Sequence, residues 1–447
     1  MNKNTNTIDT IAAQATPSGR GGIGIIRVSG PKVKEIAKKI LATAPKPYYV
    51  SFTSFLNKEG AAIDQGIALY FPAPNSFTGE DVLELHGHGG PVVMSCLLRQ
   101  VVKLGARLAK PGEFSERAFL NDKMDLVQAE SVADLINASS EHAAYSAMRS
   151  MQGRFSEKIN SLVGQLIELH VYVEAALDFP EEEIDYISEQ RIARQLKNIL
   201  LELKLLQANA KQGVLLQQGV SVVIVGKPNV GKSSLLNYLC RKDSAIVTRI
   251  PGTTRDVLRE YINIDGLPLH IVDTAGLHES YDLIEKEGIK RAWQEMHKAD
   301  FVLLIIDEDE INLDAFAQYL NKIIVVRNKI DLIKEEAGIE PKQAYDVIYV
   351  SVKTGKGLDL LENYLKAKVG FSGSSEDGFI ARLRHLQALN MAEQYLLNGH
   401  SRFNKNHALE LLAEELRRAQ KALNELTGEF CSDDLLGKIF SEFCIGK

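Results

Sequence analysis

The chain reads as a multidomain protein of mixed α+β and α/β class, in which a helical domain is split by an inserted α/β domain. Three observations predict this. Short β-branched runs alternate with turn residues up to about residue 118, and apolar residues recur at helical spacing on both sides of a central block. Within that block, from about 219 to 370, apolar strands alternate with helical stretches, as in a parallel sheet covered by helices. At 447 residues the chain also exceeds what one core usually serves.

Taken in order, residues 1–118 hold "IGIIRVSG" and "DVLELHGHGG" between the turn signals "ATPSGRGG" and "FPAPNSFTGE", which predicts a compact α+β domain. Residues 119–218 are the first part of the helical domain, with Ile192, Leu196, Ile199, Leu203 and Leu206 at helical spacing and few glycines or prolines. The α/β block occupies 219–370. After the linker "GFSGSSEDG", residues 371–447 form the second helical part, with Leu409, Leu412, Leu416, Leu423 and Leu426 on one face and Thr427-Gly428 as a helix stop.

Composition sets further bounds. Charged residues at 25% and hydrophobic residues at 45% are ordinary for a soluble globular protein, and no apolar run approaches the ~20 residues of a membrane span. The start, "MNKNTNTIDT", lacks the apolar segment of a signal peptide. Cys96, Cys240, Cys431 and Cys444 form no C-x-x-C, which argues against a zinc cluster or disulfide framework and for a cytoplasmic setting. With a net charge of −6, any nucleic-acid contact must come from a local basic patch.

Chemistry concentrates in the central block. "VVIVGKPNVGKSSLL" carries G-x-x-x-x-G-K-S at Gly226 to Ser233, after an apolar strand and before a helical run, the context a P-loop requires. Backbone amides of Asn229, Val230 and Gly231 are expected around the phosphates, continuing to Ser234. Lys232 is expected on the β and γ phosphates and Ser233 on Mg²⁺. "DTAG", Asp273, Thr274, Ala275 and Gly276, ends a strand; Asp273 is placed to hold Mg²⁺ through water and Gly276 to sense the γ-phosphate. "NKID" supplies Asn328, Lys329 and Asp331, whose carboxylate accepts the guanine N1–H and amine; adenine would leave it unpaired. "SVK", Ser351, Val352 and Lys353, closes over the base. Four motifs in this order resemble the translation-factor-like GTPases and predict a Ras-like P-loop G domain that binds GTP.

The departures from that pattern are informative. Leu277 stands after DTAG where Ras-like proteins place a water-orienting glutamine, so another polar group is needed. Glu279, Glu285 and Glu287 are available, though each also reads as a solvated helix-face charge. The loop "TRIPGTTRD" carries Thr248, Arg249, Ile250, Pro251, Gly252, Thr253 and Thr254. Thr254 is the expected second Mg²⁺ hydroxyl, and Arg255 is either a cationic finger or a loop brace. Asn229 offers a side-chain oxygen to a monovalent cation, which beside the phosphates would do an arginine's electrostatic work.

"GKPNVGKS", "TRIPGTTRD", "DTAGL" and "NKID" combine with "ATPSGRGGIGIIRVSG", "PGEFSERAFLNDKMDLVQAE" and the terminal "GEFCSDDLLGKIFSEFCIGK". Together they resemble the MnmE (TrmE) family of tRNA modification GTPases over essentially the whole chain. The resemblance implies an N-terminal folate-binding domain that dimerises, a helical domain, and a G domain that pairs in a K⁺-dependent way. It implies carbon-5 modification of the wobble uridine of tRNAs, giving aminomethyl or carboxymethylaminomethyl groups. The one-carbon unit would come from a tetrahydrofolate derivative, 5,10-methylene or 5-formyl. An FAD-binding partner (MnmG/GidA-like) would join the homodimer in a heterotetramer, with FAD on the partner only. Carried over by motif, K⁺ falls on Asn229, Thr248, Ile250 and Thr253; the water-orienting role falls on Glu285; folate contacts fall on Arg27, Glu84, Lys123 and Lys447. His278 stands where some relatives carry arginine.

Plainer readings exist beside these. Arg27 and Glu84 taken alone are ordinary strand charges, and His86 and His88, one residue apart in "HGHGG" without a third ligand, read as loop histidines. A rival function, a GTPase switch binding ribosomal RNA during assembly, calls for an RNA module such as a basic KH-like segment, and none is seen. At the terminus, "FCIGK" superficially matches a prenylation box, but lysine is an unusual last residue there and no second lipid signal supports it. Leu435, Leu436, Ile439, Phe440 and Phe443 form an apolar helical face that must dock, carrying Cys444 and Lys447 to a neighbouring surface. The sequence leaves open whether Cys444 is a nucleophile or a packed thiol.

Overall fold

The computed structural model describes residues 9–41, 45–178, 186–242, 259–273, 292–308, 313–333, 335–373, 378–429 and 432–446. The chain forms two compact units that interrupt each other in sequence. One comprises Met1–Ala133, Met151–Ile192 and Tyr395–Lys447; the other comprises Asp134–Ser150 and Ala193–Gln394. Among the described residues no helix is long and apolar enough to cross a membrane.

The first unit is built on a six-stranded sheet of β1 (Ile11–Gln14), β2 (Gly21–Ser29), β3 (Ser51–Leu56), β4 (Ala62–Phe71), β5 (Val82–Gly89) and β6 (Arg107–Leu108), in the order β3-β4-β5-β2-β1-β6. All neighbours are antiparallel except β1 and β6. Because strand side chains alternate, Ile26, Val28, Leu83 and Leu85 point to one face. There they are buried with Ile36 and Ile40 of the helix Val33–Ile40 and Met94, Leu97 and Val101 of the helix Pro91–Lys103. The alternation leaves Arg27, Glu84 and His86, all only half-buried, on the open face.

Two long helices of this unit pack together. Arg154–Asp178 buries Ile159, Leu162, Leu166, Leu169 and Val173, and Leu409–Thr427 buries Leu412, Leu416, Leu423 and Leu426, each set at the spacing of one helical face. Gly428 ends the second helix at φ 95°, the left-handed stop its sequence predicts. The following helix, Asp433–Ser441, is capped by the Ser432 hydroxyl accepting from the Leu435 amide. It buries Ile439 and Phe440, with Phe443 just beyond its end, against Phe119, Leu126 and Ala129. The predicted apolar tail face therefore docks within its own unit.

The second unit contains a seven-stranded sheet of β7 (Val220–Val225), β8 (Arg259–Ile264), β9 (Leu267–Asp273), β10 (Phe301–Ile306), β11 (Ile323–Arg327), β12 (Gly338–Pro341) and β13 (Asp346–Tyr349), ordered β12-β13-β11-β10-β7-β9-β8. The five inner strands are parallel and buried on both faces, which is why they read as continuous apolar runs. Val222, Ile224, Leu303 and Ile305 meet Leu235, Leu239, Leu361 and Leu365 on one side. Val223, Val225, Val302 and Val325 meet Met296 and Tyr319 on the other. The expectation of a parallel sheet needs amendment at both edges, where β8 and β12 run antiparallel. A tight turn causes the first: Asp265 and Gly266 both take positive φ, 49° and 96°, and the Gly266 amide donates to Asn263 Oδ1 at 2.7 Å. Such a turn admits only a hairpin.

Candidate functional site

The P-loop lies between the end of β7 and the helix Lys232–Lys242. Its backbone must curl too tightly for side chains at two points. A Cβ on Gly226 (φ 153°) would stand 2.3 Å from the Ile305 carbonyl oxygen, and one on Gly231 (φ 107°) would stand 2.2 Å from Asn328 Nδ2. Asn229 holds a left-handed φ of 64°, an uncommon conformation for a residue with a side chain. Lys232 folds back over the loop, its Nζ donating to the Gly226 and Lys227 carbonyls at 2.7 Å each.

Asn328 ties the other motifs to this loop. Its Nδ2 donates to the Val230 carbonyl at 2.8 Å, and its Oδ1 accepts from the Val352 amide at 3.0 Å. The buried Ser351 hydroxyl donates to Asp331 Oδ1 at 2.6 Å, and Lys329 Nζ pairs with Asp307 at 2.5 Å. A cleft of ≈ 740 Å³ opens between them, lined by Asn229, Gly231, Ser234, Asn328, Lys329, Asp331, Val352 and Lys353. Sequence reasoning missed Asn237, Tyr238 and Leu332, which also line it. The first two were legible in principle, since they follow Ser234 by three and four places on one helical face.

β9 ends at Asp273, in register with Ile224, so the DTAG strand finishes beside the P-loop strand. Thr274, Ala275, Gly276, Leu277, His278, Glu279, Glu285 and Glu287 lie outside the described residues, as do Thr248, Arg249, Ile250, Pro251, Gly252, Thr253, Thr254 and Arg255.

A second constellation sits on the open face of the six-stranded sheet. Arg27 and Glu84 are cross-strand partners, and Arg27 Nε and NH2 each reach Glu84 Oε1 at 2.8 Å. The guanidinium lies 5.4 Å from the Phe77 ring centre and 5.8 Å from that of Phe114. Burial pushes the Glu84 carboxyl up, but the Arg27 guanidinium and the His86 ring more than offset it and hold it below its ordinary value. Lys123 donates to the Pro74 carbonyl at 3.0 Å, on the same loop that carries Phe77. Lys447 lies outside the described residues.

The reading of His86 and His88 as loop residues does not hold: both lie in β5, which pairs with strands on either side. His86 Nε2 stands 3.0 Å from Glu84 Oε2, and His88 Nδ1 stands 2.7 Å from Asp64 Oδ1. The flanking glycines that read as loop are there for contact: a Cβ on Gly89 would stand 2.6 Å from the Ile23 carbonyl oxygen.

The tail reaches this neighbourhood through its backbone. Ile445 pairs with Pro111 in an antiparallel bridge, and the Gly112 amide donates to the Cys444 carbonyl at 3.4 Å. Gly112 must be glycine, since a Cβ there would stand 2.5 Å from the Phe440 carbonyl oxygen. Gly446, at φ 96°, lies against Gln14, whose strand pairs Ala13 with Arg27. Cys444 is exposed. A partly buried ion cluster backs this corner: Arg117, 2% exposed, pairs with Asp9, Glu80 and Glu113, and the more exposed Arg107 pairs with Asp9 and Glu113. Glu113 also accepts from the Lys110 amide at 2.8 Å, closing the turn that carries Pro111 and Gly112.

Comparison with known proteins gives consistent matches. The family model described as the MnmE helical domain matches residues 126–444, and that of the GTP-binding protein TrmE N-terminus matches residues 10–123. A tRNA modification GTPase MnmE from Coxiella burnetii is 58% identical over 448 residues, spanning 98% of this chain and 99% of that protein. One from Yersinia pestis is 54% identical over 453 residues, spanning 99% and 100%. Among solved structures, an Era variant from Aquifex aeolicus bound to GDP and aluminium fluoride is 30% identical, covering 40% of this chain and 67% of that one, with a TM-score of 0.26.

Proposed function

Because the chain belongs to the MnmE family of tRNA modification GTPases, we propose that it is the GTP-hydrolysing component of wobble-uridine carbon-5 modification in tRNA. In this reading the one-carbon unit comes from a tetrahydrofolate derivative, and the protein works in the cytoplasm as a homodimer with an FAD-binding partner. The observation that supports it best is the seating of the tail. The Cys444 carbonyl is held by Gly112, two residues before the Phe114 whose ring lies against Arg27. A terminal thiol and an arginine–glutamate pair thus share one corner of one unit.

The nucleotide half suits a triphosphate and its metal, since Gly226 and Gly231 leave no room for a Cβ, and a loop curled this tightly at a helix start offers backbone amides to phosphate. Lys232 exchanges two carbonyls for phosphate oxygens, and Asp331, oriented by Ser351, accepts from guanine. Ser233 and Thr254 would hold Mg²⁺, which neutralises phosphate charge when bound. Asn229, Thr248, Ile250 and Thr253 would hold K⁺, and Glu285 would orient the attacking water. In the folate half, Glu84 accepts from the pterin amine, while Arg27, Lys123 and Lys447 are cations for the ligand's carboxylates. Cys444 supplies a thiol as nucleophile or proton carrier.

Mass spectrometry of wobble nucleosides in tRNA from cells lacking the protein tests the proposal. Carbon-5 groups are expected to vanish and to return with the wild-type chain; a normal nucleoside profile in its absence would overturn the reading.

A further inference from the structure

We propose that His86 is a positioning residue of the one-carbon site, fixing the Glu84 carboxylate in the orientation in which it receives a pterin. The inference rests on the reading of Arg27 and Glu84 as folate contacts and deepens it. His86 lies inside β5, two residues from Glu84 and on the same open face, with Nε2 3.0 Å from Glu84 Oε2. Arg27 directs its Nε and NH2 to the other oxygen, Oε1. A carboxylate has about four lone-pair sites. Arg27 fills those of Oε1, so the oxygen that His86 grips is the one with capacity left for a ligand.

The surroundings leave His86 little else to do. Its direct cross-strand neighbours are Ile25 on β2 and Ile67 on β4, both apolar. The charged and titratable groups facing it are Glu84 and His88 on its own strand, Arg27 on β2 and Asp64 on β4. Asp64 is already engaged by the His88 amide and ring, each at 2.7 Å. A pterin offers only donors, N3–H and the 2-amino group, on the edge that a carboxylate reads, so Glu84 must be ionised and still. When Arg27 turns toward a ligand carboxylate, His86 is the contact that stays. Burial opposes ionisation of Glu84, and Arg27 and His86 are what overcome it.

The test is equilibrium dialysis of 5-formyltetrahydrofolate, whose N5 is acylated and does not titrate, against the full chain from pH 4.5 to 8. Wild type, His86→Ala and His86→Gln are compared, with thermal melts as a control for folding. At pH 7.5, His86→Ala is expected to bind roughly five- to tenfold more weakly, the scale of one typical net hydrogen bond. Its loss of binding on acidification should move to higher pH. The sign follows from chemistry: removing a partner that favours the carboxylate lets Glu84 take a proton at higher pH. His86→Gln keeps a donor without charge, so it should restore most of the affinity and shift the acid limb upward by less. If both variants match wild type in affinity and acid limb, the positioning role is overturned while the folate reading stands. If wild type itself does not bind the probe at any pH, the folate reading falls and this proposal falls with it. Should the alanine variant unfold, the acid limb of His86→Gln decides alone, and coincidence with wild type overturns the proposal.

Discussion

The Asp331 carboxylate is oriented from behind by the Ser351 hydroxyl, and Asn328 joins its loop to the P-loop, so the carboxylate proposed to read guanine is held by both neighbours. Asp331→Asn replaces an acceptor by an amide whose donors face those of guanine. GTP affinity should fall at least tenfold, about 1.4 kcal/mol, with relative binding of xanthosine triphosphate improved. Titration with fluorescent nucleotides checks this, and unchanged GTP affinity would remove Asp331 from the base site. Arg117 sets a second test at this scale. Burial raises the carboxyls of Asp9 and Glu113, but hydrogen bonds from Arg107 and the charge of Arg117 leave both below their ordinary values. Groups whose folded pKa is depressed stabilise the fold above the ordinary carboxylate range, and that stability is lost as pH falls through the folded values. Urea melts should therefore weaken below about pH 4, and less steeply in Glu113→Gln, which has no proton to take up.

At the scale of elements, the tail helix and the segment after it divide the labour. Phe440, 2% exposed, packs beside Phe119 and Phe443, so Phe440→Ala should cost about 3–5 kcal/mol and release the tail. Deleting residues 444–447 removes Cys444, Ile445 and Gly446, which pack through their backbone, together with Lys447, so the melting temperature should stay near wild type while wobble modification is lost and folate binding weakens. Cys444→Ser should lose modification yet keep most of its folate affinity. If the deletion variant modifies tRNA normally, the strip is packing alone. Much of this was legible in the sequence. The apolar face of 435–443 announced a docking helix, and the five inner strands of the nucleotide sheet announced themselves as unbroken β-branched runs. What could not be read was partner choice. Nothing local in Leu435 or Phe440 names Phe119 as the surface to meet, nothing in Arg27 gives its register against Glu84, and glycines beside His86 look like loop until the crowding around Gly89 is seen. Pairing is decided by contacts distant in sequence, and motifs with strict spacing were legible because their partners are local.

One compact unit carries the nucleotide cleft and the other the Arg27 corner, and the proposed cation role is tested on the whole molecule. Asn229 is held at a left-handed φ and lines the cleft, and among the described residues the cationic side chains lining it are Lys329 and Lys353. Turnover should be faster in K⁺ than in Na⁺ at equal ionic strength and should rise with protein concentration if two G domains pair; equal rates in both salts would rule the cation role out. The interleaved order of segments has a further consequence, for how the chain is made. Residues 395–447, which supply the tail helix and its neighbour to the first unit, leave the ribosome about 260 residues after that unit's first segment, Met1–Ala133. At ~5–20 residues per second the wait is roughly ten to fifty seconds. Throughout it Phe119, Leu126 and Ala129 lack the surface that buries them. A nascent chain stalled near residue 394 should thus be cut by protease within its first 133 residues, where the finished protein resists, and holdase chaperones should gather there during synthesis.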